Sequence, residues 1–408
     1  MTAPDVVVVG GGIVGTSAAA FLSAAGASVL LVERDGLASG ASGANAGVVW
    51  HPFDPVMVAL YRETVVLYRE LANASGSFRI GERPTGLLEV STSERAVRAQ
   101  RAAIEAFYPE LGATVLDEAA LREAEPGIAA GYWGCRSELG YPIAPASSTY
   151  AYATLAEERG AVVRTGRAAV LEIEGDAVTG VRIDGELIAA GAVVAAAGPW
   201  TPALLDPTAA WAPIRPLWGV VAEVEMRAQT RHIVDEIGED AAADTILTAS
   251  GNGQRWERDP AASPEREAPS PEREVPSPER EVPSPDAVRP SVAPTPGIAS
   301  IGSTHLALEP DPTAWIEPIL VRASRFLPSI PEAPIRGVRA CARPLSDDGR
   351  PLVGMVPGKR NLFICAGHGP WGISTGPASA RLVTDLVLGR APAIPAELDP
   401  ARFGTPGG

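Results

Sequence analysis

Between residues 6 and 33 the chain runs through VVVV, GGGIVG, TSAAAFLSAAG and SVLLVE, and few folds accept that order. DVVVV is a continuous apolar run, the pattern of a parallel strand buried on both faces. Gly10, Gly12 and Gly15 then form G-x-G-x-x-G, and a helix of small residues comes next, closed by Gly26. The second strand ends in Glu33, which completes a βαβ opening. In such a unit the first glycine permits the tight turn and the second lets backbone approach a pyrophosphate. The third lets helix and strand pack closely, with the phosphates at the helix N-terminus. Ile13 and Val14, between the second and third glycines, are read with them as cofactor-binding. A carboxylate at Glu33 can accept both ribose hydroxyls and disfavours a 2′-phosphate, so the choice is NAD or FAD rather than NADP.

The residues after Glu33 favour FAD. An NAD enzyme usually continues with alternating strands and helices, whereas this chain turns at once into GLASGASGANAGVVWHPF. That stretch can lay backbone N–H groups along a pyrophosphate and a flavin ring. A surface loop is the competing reading, and the apolar AGVVW inside it argues for burial.

The chain has 408 residues, room for two domains, and 46% of them are hydrophobic. A formal charge of −15 argues against nucleic acid or anionic membrane as a partner. Three scattered cysteines give no disulfide framework, and four histidines give no metal-site spacing, so no metal is expected. The apolar run Val6 to Val32 lacks a basic leader and is broken by glycines. It is read as neither signal peptide nor membrane span, which makes a cytoplasmic protein without a transmembrane segment the expectation.

Amphipathic spacing predicts a helix over 57–72 with Tyr61, Val65, Tyr68 and Leu71 on one face. A second helix is predicted from a capping box of Ser91 and Glu94, and a third from Ser147 to Arg159, stopped by Gly160. Strands are predicted through 162–198, over 217–226 and 298–308, and at NLFICAG, before a final helix that ends ahead of Gly389. At Ser263, Ser270 and Ser277 the unit S-P-E-R-E-[AV]-P repeats in tandem. Two prolines in each seven residues exclude a helix and a central strand, so 263–285 is expected to be a disordered insertion. A tether for a partner is the competing reading of the repeat.

Five motifs in order carry a resemblance. They are VVVVGGGIVGTSAAAFLSAAGASVLLVERD, ASGASGANAG, VVAAAGPWTPALL, ARPLSDDGRPLVG and NLFICAGHGPWGISTGPASARLVTDLVLG. The sequence resembles the D-amino acid oxidase, glycine oxidase and sarcosine oxidase family of FAD-dependent oxidoreductases over nearly its whole length. The resemblance implies an α/β fold: a Rossmann-like FAD-binding domain with a parallel sheet, interleaved with an antiparallel-sheet α+β substrate domain. The FAD-binding segments would be 1–80, 145–210 and 335–408, and the substrate segments 81–144 and 211–334, with the 263–285 repeat inside the latter. Glu33 and Arg34 would lie at the adenosine ribose. Ser42, Asn45, Ala46, Gly47 and Val48 would line the pyrophosphate and flavin. Val170 would meet the adenine through its backbone, and Ala197, Gly198 and Trp200 would approach from a strand end. Gly367, His368, Gly369, Gly372, Ile373 and Ser374 would form the turn and helix start at the flavin pyrimidine.

By the same resemblance Arg343 grips the substrate carboxylate, a task suited to a planar, permanently charged guanidinium. A surface or structural arginine is the alternative. Cys341 aligns with the cysteine that sarcosine oxidases bond to flavin, and a small buried apolar residue is the alternative. His51, Trp50 and Trp371 fall near the flavin; His51 is a base or substrate contact, or a structural residue. The implied reaction is oxidation of an amino acid or secondary amine. A hydride passes to flavin N5, an imine is hydrolysed to an oxo acid, and oxygen or a quinone-linked acceptor takes the electrons. A 2-hydroxy acid or polyol phosphate dehydrogenase, an NAD-dependent dehydrogenase and a non-catalytic binding protein are the other readings. A homo-oligomer is left open.

Overall fold

The computed structural model describes residues 3–227, 230–237, 282–295 and 298–406. The first strand, Val6–Val9, is the centre of a six-stranded sheet. It pairs in parallel with Val29–Val32 on one side and Ala192–Ala195 on the other. Val162–Arg164 and Leu362–Ala366 extend the sheet in parallel, and Leu352–Met355 adds an antiparallel edge. Side chains alternate faces along a strand, so the four valines divide between two cores. Val6 and Val8 pack with the helices Ile13–Ala24, Pro55–Ala74, Ser147–Glu158 and Gly372–Val387. Val7 and Val9 pack against a three-stranded antiparallel sheet, 169–189, through Val178, Val181 and Ile183.

The helix Pro55–Ala74 buries Tyr61, Val65, Tyr68 and Leu71, the face read from its spacing. It begins at Asp54, whose Oδ1 accepts from Val56 and Met57 N–H at 2.9 and 3.0 Å. The next helix, Glu94–Phe107, corrects the expected capping box. Its cap is Ser93, whose Oγ accepts from Ala96 N–H at 3.3 Å. Ser91 ends the strand Leu87–Ser91 and accepts from Ser93 N–H instead. A cap must stand next to the first helical residue, and Ser91 lies too early in the chain for that.

The second large sheet has eight strands. Strand Ile335–Ser346 lies at its edge, followed by Ile214–Val224, Ile298–Gly302, Ser291–Thr295, Ile233–Glu236, Leu87–Ser91, Trp133–Ser137 and Thr114–Leu116. All its pairings are antiparallel except Ile233–Glu236 with Leu87–Ser91. The sequence groups 335–346 with the FAD-binding segments, yet this strand pairs along its length with Ile214–Val224. Eleven residue pairs along the strand outweigh proximity in sequence to the six-stranded sheet. The strand therefore stands where the two sheets meet.

Of the 263–285 repeat, residues 263–281 lie outside the described residues. Among the described residues no helix is long and apolar enough to cross a membrane.

Candidate active site

The glycine turn forms because nothing larger than glycine fits. A Cβ on Gly15 would sit 1.9 Å from the Gly10 carbonyl oxygen, and one on Gly10, at φ +117°, would sit 2.3 Å from that of Ala196. Both neighbours are backbone and cannot swing aside. The helix after the turn starts at Gly12, which has no side chain to cap it, so its positive N-terminus stands at the turn. The Glu33 carboxylate accepts from Gly11 N–H at 2.6 Å and from Asp35 N–H at 2.8 Å, which fixes it at the end of its strand. Arg34 pairs with the exposed Asp35 and lies 4.8 Å from the Trp200 ring centroid. Trp200 ends a short turn that begins at Gly198, after Ala197. Val170 lies on the three-stranded sheet with its side chain largely exposed. The backbone beside Glu33 is that of Gly166 and Arg167, bonded to Asp35 and Glu33.

The loop 37–47 folds back onto the glycine turn. Ser42 Oγ accepts from Ile13 N–H at 2.9 Å, which leaves its own proton to donate. The Asn45 side chain staples the loop, donating to Ser42 O and accepting from Gly47 N–H, both at 2.7 Å. Gly47, at φ +77°, has no room for a Cβ beside the Ile143 carbonyl. Ala46 lies between these two, and Val48 and Val49 then pair with Pro142 and Tyr141. Trp50 N–H reaches Ser374 Oγ at 2.7 Å, so the loop touches the start of the helix Gly372–Val387. That helix also starts without a side-chain cap, after the turn Gly369–Trp371. The Ile373 carbonyl is held by Tyr68 Oη at 2.8 Å. Trp371 Nε1 is buried with no partner among the described residues, as is Nε2 of His368.

The edge strand Ile335–Ser346 and its neighbour Ile214–Val224 supply a second wall. On Ile335–Ser346 the even residues Val338 and Ala340 pack into the core under the helix Ile316–Ser324. Strand alternation turns Arg339, Cys341 and Arg343 to the other side, together with Gly219 and Glu223 of the partner strand. Arg339 reaches across to the loop, donating from Nη2 to the Asn45 carbonyl at 2.8 Å. It also pairs with Glu223 at 2.5 Å. Arg343 donates from Nη1 to the Thr304 carbonyl at 2.9 Å and from Nη2 to Ser303 Oγ. No carboxylate among the described residues pairs with Arg343, and burial pushes its pKa down. Protein surrounds it, yet part of its surface stays accessible. Burial raises the Cys341 thiol, and the flanking Arg343 and Arg339 oppose that rise.

His51 is placed differently from these. Its ring sits among Phe53, Tyr61 and Tyr108 at centroid distances of 5.3, 5.0 and 5.1 Å. Neither ring nitrogen has a hydrogen-bond partner among the described residues. Burial, helped by Arg62, pushes its pKa down to about 4, so the ring is neutral at neutral pH.

A helix start beside glycines that no Cβ could replace fits a dinucleotide, and the helix Gly372–Val387, whose start has no side-chain cap, meets Trp50 just after the same loop. The family profile described as FAD dependent oxidoreductase (DAO) matches residues 5–386. This chain belongs to that family. Its cofactor is FAD and it is an oxidoreductase, so the NAD reading gives way. A glycine oxidase from Pseudomonas putida is 36% identical over 110 residues, which span 26% of this chain and 29% of that relative. Among solved structures, glycine oxidase from Geobacillus kaustophilus superposes with a TM-score of 0.76 at 24% identity, over 98% of both chains. L-proline dehydrogenase from P. horikoshii gives a TM-score of 0.75 at 19% identity, also over 98% of both. These likenesses support the fold: a parallel-sheet FAD-binding part with an antiparallel-sheet part.

Sequence reasoning missed Arg339, Glu223, Gly219, Ser303 and Thr304. The spacing of Arg339 from Arg343 was the available signal, because residues four apart on a strand share a face.

Proposed function

We propose that this flavoenzyme oxidises an α-amino acid or an N-alkyl amino acid, and that Arg343 holds the substrate carboxylate. The observation that carries the reading is a guanidinium inside the protein that pairs with no carboxylate among the described residues, on the strand whose Arg339 reaches the loop 37–47. A buried cation is costly unless an anion joins it. The neighbouring arginine does not compete, because Glu223 already neutralises it. Ser303 and Thr304 use one donor on each Nη, and the remaining N–H groups of the fork suit a carboxylate held bidentately.

In this reading Gly10, Gly12, Ile13, Val14 and Gly15 hold the pyrophosphate and Glu33 the ribose. Ser42, Asn45, Ala46, Gly47 and Val48 run along the cofactor, with Gly367 to Ser374 closing its far end. The chemistry that FAD supplies when bound is acceptance of a hydride. Arg343 fixes the acid end of the substrate and so orients its α C–H, a large part of such catalysis. Loss of hydride from the α-carbon of a neutral amine leaves an iminium, whose N–H proton passes to solvent. Water then adds to the imine, releasing an oxo acid and ammonia or an amine. The electron pair leaves to oxygen or a quinone-linked acceptor. Cys135, Cys341 and Cys365 are free and buried, which suits a reducing cytoplasm.

Turnover of a panel of amino acids, N-methyl amino acids, 2-hydroxy acids and glycerol phosphate tests the proposal, with an oxygen electrode and a quinone dye in parallel. Amine turnover that Arg343→Ala lowers chiefly through KM supports it. Turnover confined to hydroxy acids or the phosphate ester would overturn the amine assignment and leave the family intact.

A further inference from the structure

We propose that Gly219 is a positioning residue, the seat on which the Arg343 guanidinium lies. The proposal rests on Arg343 being the carboxylate site. A Cβ on Gly219 would stand 2.1 Å from Arg343 Nη2, 2.4 Å from Cζ and 2.7 Å from Nη1. The whole fork therefore lies across the Gly219 α-carbon. The three atoms nearest to that point all belong to the Arg343 guanidinium, so a side chain at 219 meets Arg343 first.

The backbone does not ask for glycine. Gly219 lies in the middle of the strand Ile214–Val224, paired with Cys341, and it is absent from the positive-φ positions. Glycine is disfavoured in a strand interior, where it marks a close approach. Here the approaching group is a charged side chain, held at its edge by the Thr304 carbonyl and Ser303 Oγ. The seat below and the two acceptors at the edge leave one plane for the guanidinium. A methyl group at 219 lifts that plane off the strand. The carboxylate position, and with it the reach from carboxylate to reacting C–H, is set by a residue that touches neither.

The test is a double-mutant cycle on FAD-loaded protein, with acetate as the probe and the flavin absorption change as the readout. Gly219→Ala should raise the acetate Kd about tenfold with FAD content unchanged. On an Arg343→Ala background the same change should shift Kd less than about twofold, because the clash is gone. Equal weakening on both backgrounds, or no weakening on the first, overturns the seat and leaves the Arg343 assignment standing. An acetate response that is absent, or unmoved by Arg343→Ala, sinks the carboxylate site itself. Should Gly219→Ala alone fail to fold, recovery of folding in the double variant supports the seat. Failure of the double variant as well shows that 219 serves something other than Arg343.

Discussion

Arg339 donates to the Asn45 carbonyl at 2.8 Å, which ties the loop 37–47 to the strand that also carries Arg343. The two arginines share one face and differ in company. Arg339 holds Glu223, Asn45 and, at 3.3 Å, Ser300 Oγ, whereas among the described residues Arg343 holds only neutral oxygens. One is committed to joining its strand to the loop at Asn45, and the other, in the proposed reading, keeps its charge for the substrate carboxylate.

Arg339→Ala should therefore loosen the loop rather than the substrate site. It removes the tie to Asn45 and leaves Glu223 without its partner on a half-buried wall. FAD affinity should fall about tenfold or more, the effect of losing a charge-assisted bond of about 2 kcal/mol. Titration of apoprotein with FAD, followed by flavin fluorescence, measures it. Arg339→Lys should recover part of the loss, since one ammonium can keep either Glu223 or Asn45 but not the full fork.

The glycine turn should respond in grades. Gly15→Ala forces a Cβ to 1.9 Å from a backbone oxygen, so the strand and helix must part. That variant should lose FAD and much of its folding stability, read by flavin absorbance and thermal melting. At Gly12 the nearest atom to a Cβ is Ser42 Oγ, at 3.0 Å. Gly12→Ala should keep its melting temperature without FAD and lose affinity for it, because a Cβ there obstructs only what approaches the turn.

Legibility tracked how local the cause was. The βαβ opening was readable because each glycine answers to its own turn, and the Asn45 loop because its composition marks it. The wall was not readable in the same way. That 335–346 joins 214–224 depends on pairing across more than a hundred residues, and Gly219 looks like any strand glycine until Arg343 is laid across it. Spacing alone points to Ser91 as the cap of the next helix, yet the strand end claims it and Ser93 takes the role.

His51 sets an acid limit. The folded ring stays neutral down to about pH 4, while an unfolded histidine takes its proton near 6.5. Between those values the unfolded chain binds more protons. The contribution is fully present above pH 6.5 and is lost as pH falls towards 4, by up to about 3 kcal/mol. Burial pushes His368 down as well, to about 3, so it adds to the same loss. His51→Phe keeps the contacts with Phe53, Tyr61 and Tyr108 and removes the titration, so its acid-unfolding midpoint should move to lower pH. Its kcat should stay within a few-fold of the parent, whereas loss of a general base would cost about a hundredfold or more.

Cys341 gives the last prediction. It is buried, shares a strand face with Arg339 and Arg343 and lies between them. Attack on a flavin carbon needs the thiolate. Burial raises the thiol pKa and outweighs Arg343 and Arg339, which favour the charged form. The protonated form therefore dominates at neutral pH, and FAD should be held without a covalent bond. Acid precipitation should leave the yellow colour in the supernatant, and Cys341→Ala should take up FAD as the parent does. Colour in the pellet that disappears in Cys341→Ala would show the reverse: that binding of the flavin lowers the thiol pKa far enough for the two arginines to prevail.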